Sequence, residues 1–133
     1  MPDAVTDTHA LIWYLQDDPR LSTAASAFFD DCQKHGGRIW VPSICVVEII
    51  YLAEKGRIPS NILDAFLSEL SASDTVLRFA DLNLPTVLAL KTIPRISVPD
   101  LPDRVIAATA LSLGVPLISR DALIRATGLT VVW

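Results

Sequence analysis

Short apolar runs alternate along this chain with longer stretches of helical character, and that alternation leaves few folds open. The runs at 4–6, 38–41, 75–79, 116–118 and 130–132 are too short for helices and rich in Val, Ile, Leu and Thr, which marks them as strands. Helices are expected over 10–15, 22–33, from Ser43 to a stop at Gly56, 59–70, 85–92, 105–113 and 122–125. Asp17-Asp18-Pro19, Gly36-Gly37 and Gly114 supply further stops, and Pro94, Pro99 and Pro102 punctuate a loop. Strands separated by helices imply a parallel sheet covered on both faces. With 133 residues and no linker, repeat or low-complexity segment, the chain reads as a single domain over 1–133.

Composition narrows the functional classes. A hydrophobic fraction of 51% and a mean hydropathy of +0.43 imply a large core and an apolar contact surface for another protein. The formal net charge of −4 argues against a protein that grips nucleic acid by bulk electrostatics, and leaves open an enzyme that touches it through a few local cations and a metal ion. Cys32 and Cys45 fit no metal spacing and no disulfide framework, so both read as reduced packing thiols of a cytoplasmic protein. Met1-Pro2-Asp3 lacks the basic start of a signal peptide, and Glu48, Gly114 and Pro116 break the apolar stretches before any could span a membrane.

Four acids stand where carboxylates are costly to place: Asp7, Glu48, Asp103 and Asp121. Glu48 is the sharpest case. It interrupts Ile44-Cys45-Val46-Val47 and Ile49-Ile50-Tyr51-Leu52-Ala53, which otherwise read as buried helix, and no Lys or Arg lies within a helical turn of it. A carboxylate so placed needs a pairing charge, a proton or a metal ion. In a parallel α/β fold, ligands bind beyond the carboxyl ends of the strands. Asp7 follows the first strand, Asp121 follows the fourth, and the other two sit on helices leading from or to strands, so one sheet edge is able to gather all four.

Each acid also has a plainer reading. Asp103 and Asp121 sit at expected helix starts, where an Asp cap contributes about 1 kcal/mol, and capping is the simpler account of each taken singly. Asp7 reads equally as cap or site residue, and Asp100 reads as a loop residue close enough to Asp103 to join a site. Glu48 has no capping role to explain it. His9 reads as orienting the first loop, with substrate contact as the alternative. Arg104 and Arg120 flank site acids, and either contact phosphate or offset acidic charge. Lys91, Arg95 and Arg125 form a modest basic rim or serve solubility. The Trp13-Tyr14 pair near the site is a candidate partner contact.

Taken together, Asp7-Thr8-His9-Ala10-Leu11-Ile12-Trp13, Glu48 in Val46-Val47-Glu48-Ile49, Asp103-Arg104-Val105-Ile106-Ala107-Ala108-Thr109-Ala110 and Ile118-Ser119-Arg120-Asp121 resemble the four motif blocks of PIN-domain ribonucleases, and in particular the VapC-type toxins of toxin–antitoxin pairs. Any one block is weak, and four in order along the whole chain are specific. The resemblance implies a three-layer α/β/α sandwich with a central, mostly parallel sheet. It implies that Asp7, Glu48, Asp103 and Asp121 hold Mg²⁺ or Mn²⁺, with Ser119 as a polar helper; Thr8, Arg104 and Asp100 are further helper candidates by their places beside these acids. It implies cleavage of single-stranded or loop RNA by metal-activated water, a small antitoxin as partner, and a homodimer or toxin–antitoxin hetero-oligomer. One departure stands out: where the family often has a Ser three residues before the glutamate, this chain has Cys45, with Ser43 two positions further upstream.

Clustered carboxylates repel, so their titrations couple and some of their pKa values rise until a divalent cation relieves the repulsion. Two other classes are compatible with parts of the pattern. One is a catalytically silent PIN-like module that binds a protein partner. The other is a Mg²⁺-dependent phosphoryl-handling α/β protein, but His9 stands where a phosphatase would need a second Asp, and no Lys follows Lys91 as a receiver would need.

Overall fold

The computed structural model describes residues 3–121, 124 and 127–133. Five strands, β1 (Asp3–Thr6), β2 (Arg38–Pro42), β3 (Leu77–Ala80), β4 (Leu117–Ile118) and β5 (Val131–Val132), form one sheet in the order β3-β2-β1-β4-β5. All four pairings are parallel; Val5 of β1, for instance, lies opposite Trp40 on one side and Leu117 on the other. Helices flank this sheet in a three-layer α/β/α arrangement, as the alternation requires. β1 lies at its centre, and Ala4, Val5 and Thr6 are fully buried, as expected of a strand covered on both faces.

The helices are α1 (Thr8–Gln16), α2 (Thr23–His35), α3 (Ser43–Glu54), α4 (Ile62–Ser71), α5 (Leu84–Ala89) and α6 (Leu101–Leu113), with a 3₁₀ turn over Leu90–Thr92. Most ends carry the chemistry expected of them. Ser22 caps α2 by accepting from the Ala25 amide at 3.1 Å, and Gly36 closes it in the left-handed region at φ 68°. Among the described residues no helix is long and apolar enough to cross a membrane.

Boundaries differ from the sequence expectation at several elements, three of them for a clear local reason. Helix α6 begins four residues before Val105, because Asp100 supplies the cap and Pro102 falls in the first turn, where a missing amide costs nothing. Strand β3 begins at Leu77 rather than Thr75, because the Thr75 hydroxyl takes the Leu77 amide at 3.0 Å and holds a local turn there. Helix α4 starts at Ile62, after Pro59 and Ser60 have been used in a turn. The helix expected over 122–125 lies, apart from Ile124, outside the described residues.

Helix α3 is the larger correction. Its apolar run reads as wholly buried, yet only Cys45 and Ile49 are buried, while Val47, Ile50 and Tyr51 are 46%, 38% and 60% exposed. One face of the helix packs against α1, α4 and α6, and at 3.6 residues per turn the opposite face is left open. Leu84, Leu88 and Leu101 are exposed on α5 and α6 as well, so part of the chain's high hydropathy is spent on its surface.

Candidate active site

The sheet order reverses at β1. The chain winds outward from β1 through β2 to β3, and α5 and α6 then carry it back to β4 on the other side of β1. A crevice opens beyond the carboxyl ends of the strands where such a reversal occurs. There the structure gathers Asp7, Glu48, Asp103 and Asp121 around one cleft of about 350 Å³, together with Thr8, His9, Trp13, Asp100 and Arg120.

Asp7 is both cap and cleft residue. Its carboxylate accepts from the Ala10 amide at 2.8 Å, opening α1, and its own amide donates to the Ile118 carbonyl at 3.0 Å, tying the end of β1 to β4. Ser119, fully buried, accepts from the Asp121 amide at 3.0 Å and hydrogen-bonds to Asp7, so one hydroxyl sets the spacing of two site acids. Burial raises the Asp7 pKa and the Asp121 charge adds to the rise, while Ser119, the Ala10 amide and His9 pull it back.

Glu48 is not the core carboxylate that its flanking residues suggest. It is half-buried at the cleft, where the Thr8 hydroxyl donates to its Oε1 at 2.5 Å. That bond links α1 to α3 and replaces the missing cation with a neutral donor.

Asp103 does not cap α6. Asp100 does so, accepting from the Asp103 amide at 3.0 Å, which leaves the Asp103 carboxyl uncommitted in the first turn. A helix N-terminus ordinarily lowers a carboxyl pKa. Here burial, followed by the charges of Asp100, Asp121, Glu48 and Asp7, pushes that of Asp103 up to about 7. The acids therefore feel one another, and near neutrality one of them holds a proton part of the time.

The remaining expectations divide. Thr8, Ser119 and Asp100 sit with the acids. Arg104 does not line the cleft; its guanidinium donates to the carbonyls of Leu90 and Ile93 at 2.8 and 2.9 Å and fastens α6 to the 3₁₀ turn. Arg104→Gln is accordingly expected to lower stability by about 1–3 kcal/mol, read by urea denaturation, and to leave the chemical step intact. Lys91 and Arg95 are exposed away from the cleft, and Arg125 lies outside the described residues. Cys45, in the place of the implied serine, is buried with its Sγ 3.7 Å from the Thr6 carbonyl oxygen. Burial, reinforced by the charges of Asp7, Glu48 and Asp103, holds its thiol well above the usual range, which suits packing rather than nucleophilic work.

The sequence left Trp13 as a partner contact, named Arg120 only as a neighbour of Asp121, and gave no sign of Arg20 beside the ring. The Trp13 ring is 4% exposed and lines the cleft, with the guanidinium carbons of Arg120 and Arg20 at 4.9 and 5.2 Å from its centroid. No local pattern announces this cluster, because position 120 reaches position 13 only through the pairing of β4 with β1.

Among the described residues, no three His, Cys, Asp or Glu side chains are grouped so as to hold a metal ion as they stand. The donor chemistry nonetheless suits a hard divalent cation. The cleft offers carboxylate and hydroxyl oxygens, and the upward shift of Asp103, caused first by burial and then by the neighbouring acids, is of the kind a bound cation would reverse.

A parallel α/β sandwich with four carboxylates at its topological switch point defines a class of acidic-cleft domains. The chain belongs to the PIN-domain family, whose sequence pattern matches residues 4–128. No curated protein matches it in sequence. Among solved structures it is similar to VapBC2 from Rickettsia felis bound to a DNA fragment from their promoter, with a TM-score of 0.73 at 14% identity, covering 97% of this chain and 96% of that one. It is similar also to DNA-bound VapBC from Salmonella typhimurium, with a TM-score of 0.72 at 20% identity over 98% and 97% of the two chains. FitAcB from Neisseria gonorrhoeae follows, with a TM-score of 0.64 at 18% identity over 96% and 95%. At these identities the likeness is one of fold.

Proposed function

We propose that this protein, a single PIN domain over 1–133, is a Mg²⁺- or Mn²⁺-dependent endoribonuclease of the cytoplasm and the toxin of a toxin–antitoxin pair. The observation that carries the reading is the ring of Asp7, Glu48, Asp103 and Asp121 around one cleft, with the Asp103 carboxyl raised to about 7 by burial and by the other acids. Membership of the PIN-domain family and the likeness of the fold to VapBC and FitAcB structures support it.

Asp7 and Asp103 are the main ligands in this reading, with Glu48 and Asp121 binding directly or through water. When bound, the cation neutralises the cluster, polarises the scissile phosphate and lowers the pKa of the attacking water. The protein's own part is positioning. Asp7 is fixed by the α1 cap and by Ser119, and Glu48 by Thr8. Arg120, exposed at the cleft, offers a cation to the phosphate. The exposed Val47, Ile50 and Tyr51 on α3 suit burial under a small antitoxin or a second subunit, consistent with a homodimer or a toxin–antitoxin hetero-oligomer.

The test is the chemistry of the cut. Water attacking phosphorus leaves a 5′-phosphate and a 3′-hydroxyl, and does not use the substrate's 2′-hydroxyl. Cleavage of a single-stranded or loop RNA is therefore expected to persist when the nucleotide 5′ of the cut is replaced by its 2′-deoxy analogue. Loss of cleavage with binding unchanged, or a 2′,3′-cyclic phosphate product, rejects the mechanism. Full activity in excess chelator rejects the metal.

A further inference from the structure

A second groove of opposite charge adjoins the acidic cleft. It shares His9 and Trp13 with the cleft and continues past Gln16 to Arg20 and Arg57. On a chain of net charge −4, these cations stand against the overall balance. Trp13 is the hinge between the two spaces, with Arg20 over its ring from the groove and Arg120 over it from the cleft. The His9 ring lies 5.8 Å from that of Trp13. Arg20 is held in place by Asp18, which accepts from it at 2.8 Å and offsets part of its charge. Arg57 is exposed, and none of the hydrogen bonds or ion pairs among the described residues engages its side chain.

We propose that this groove is the track by which the backbone of a single-stranded RNA reaches the cleft, with Arg57 and Arg20 taking phosphates on one side of the cut and Arg120 the phosphate at its mouth. The inference rests on the endoribonuclease reading. Its physical ground is charge. The metal ion offsets the carboxylates at the cut itself, and the phosphates on either side of it still need cations within a nucleotide or two; the groove supplies them and is continuous with the cleft at His9 and Trp13. Guanidinium groups suit this role, being permanently charged and matched to phosphate oxygens. Contacts of this kind bind the backbone without reading bases, so they add affinity equally for all sequences.

The test uses the full chain carrying Asp7→Asn, a fluorescein-labelled single-stranded RNA of mixed sequence, and anisotropy across a salt series. Adding Arg57→Gln is expected to weaken binding roughly threefold to tenfold at low salt and to reduce the salt-dependence slope by about 0.7, the contribution of one phosphate on a single strand. In the chain without Asp7→Asn, the same substitution raises KM for that RNA. Unchanged affinity and slope, with RNA still bound and cut, overturn the track and leave the nuclease reading standing. Failure of the unsubstituted chain to bind or cut RNA overturns both. A polyglutamate peptide that binds more tightly than the RNA, and is lost in Arg57→Gln, assigns the groove to an acidic protein partner and overturns the proposal.

Discussion

Asp103→Asn is expected to abolish cleavage and, in the metal-free protein, to raise the melting temperature. The two effects share one cause. The Asp103 carboxyl titrates near 7 in the folded chain against 3.8 unperturbed, because burial and the neighbouring acids disfavour its charge. A pKa raised by folding contributes stability that is complete below the unfolded value and is lost as pH rises through the folded one. The metal-free protein thus loses this contribution between about pH 4 and pH 7. Asparagine carries no charge to lose, so the variant's advantage is absent near the acid end of that window and greatest above it, amounting to several degrees at roughly 3–6 °C per kcal/mol. Divalent cation raises the melting temperature of the unsubstituted protein by mass action, and does so less in the variant. If Asp103 holds the metal ion as proposed, cleavage falls by about a thousandfold or more, since several kcal/mol of charge stabilisation disappear with that carboxylate. Equal melting temperatures for the two proteins throughout that range, without metal, would refute the like-charge account of the cleft.

Expression of the unsubstituted chain alone is expected to arrest bacterial growth, and expression of Asp7→Asn is expected to be harmless. Asparagine is as good a cap as aspartate and keeps an oxygen for the Ala10 amide, so α1 and the soluble yield survive while the carboxylate charge is lost. Activity again falls by about three orders of magnitude on the same energetic argument. Co-expression of the cognate small partner restores growth to cells making the active chain. Abundant, soluble, active-site-intact protein that leaves growth untouched would count against the toxin role while leaving the nuclease open.

Much of this architecture was legible in the sequence because strands and helices differ in length and period. The alternation gave five strands and a parallel sheet, and cap residues such as Ser22 and stops such as Gly36 bounded helices that the structure contains. What escaped was what depends on the third dimension. The exposure of Val47 and Tyr51 follows from which helices leave α3 uncovered, and hydropathy does not record that. Asp103 and Asp100 exchanged roles because a proline at the second position of α6 moved the helix start, shifting the cap by three residues. Arg104 looked like a site cation from its place beside Asp103, yet consecutive residues on a helix point about 100° apart, and its guanidinium went to the 3₁₀ turn instead. The four acids were named because carboxylates amid apolar residues are anomalous in one dimension. Thr8 as the partner of Glu48, and Arg57 beside Trp13, are unremarkable residues until the chain is folded.

The pairing of β4 with β1 has a consequence in time. Val5 opposite Leu117 and Thr6 opposite Ile118 close the sheet at the point where Asp7 meets Ser119 and Asp121. A nascent chain that has emerged only as far as β3 holds Asp7 and Glu48 but lacks the strand that turns them into half of a ring. The same is true of any fragment cut before position 117. The cleft is therefore complete only once the fourth strand pairs with the first, and a chain that ends ahead of that strand lacks both Ser119 and Asp121.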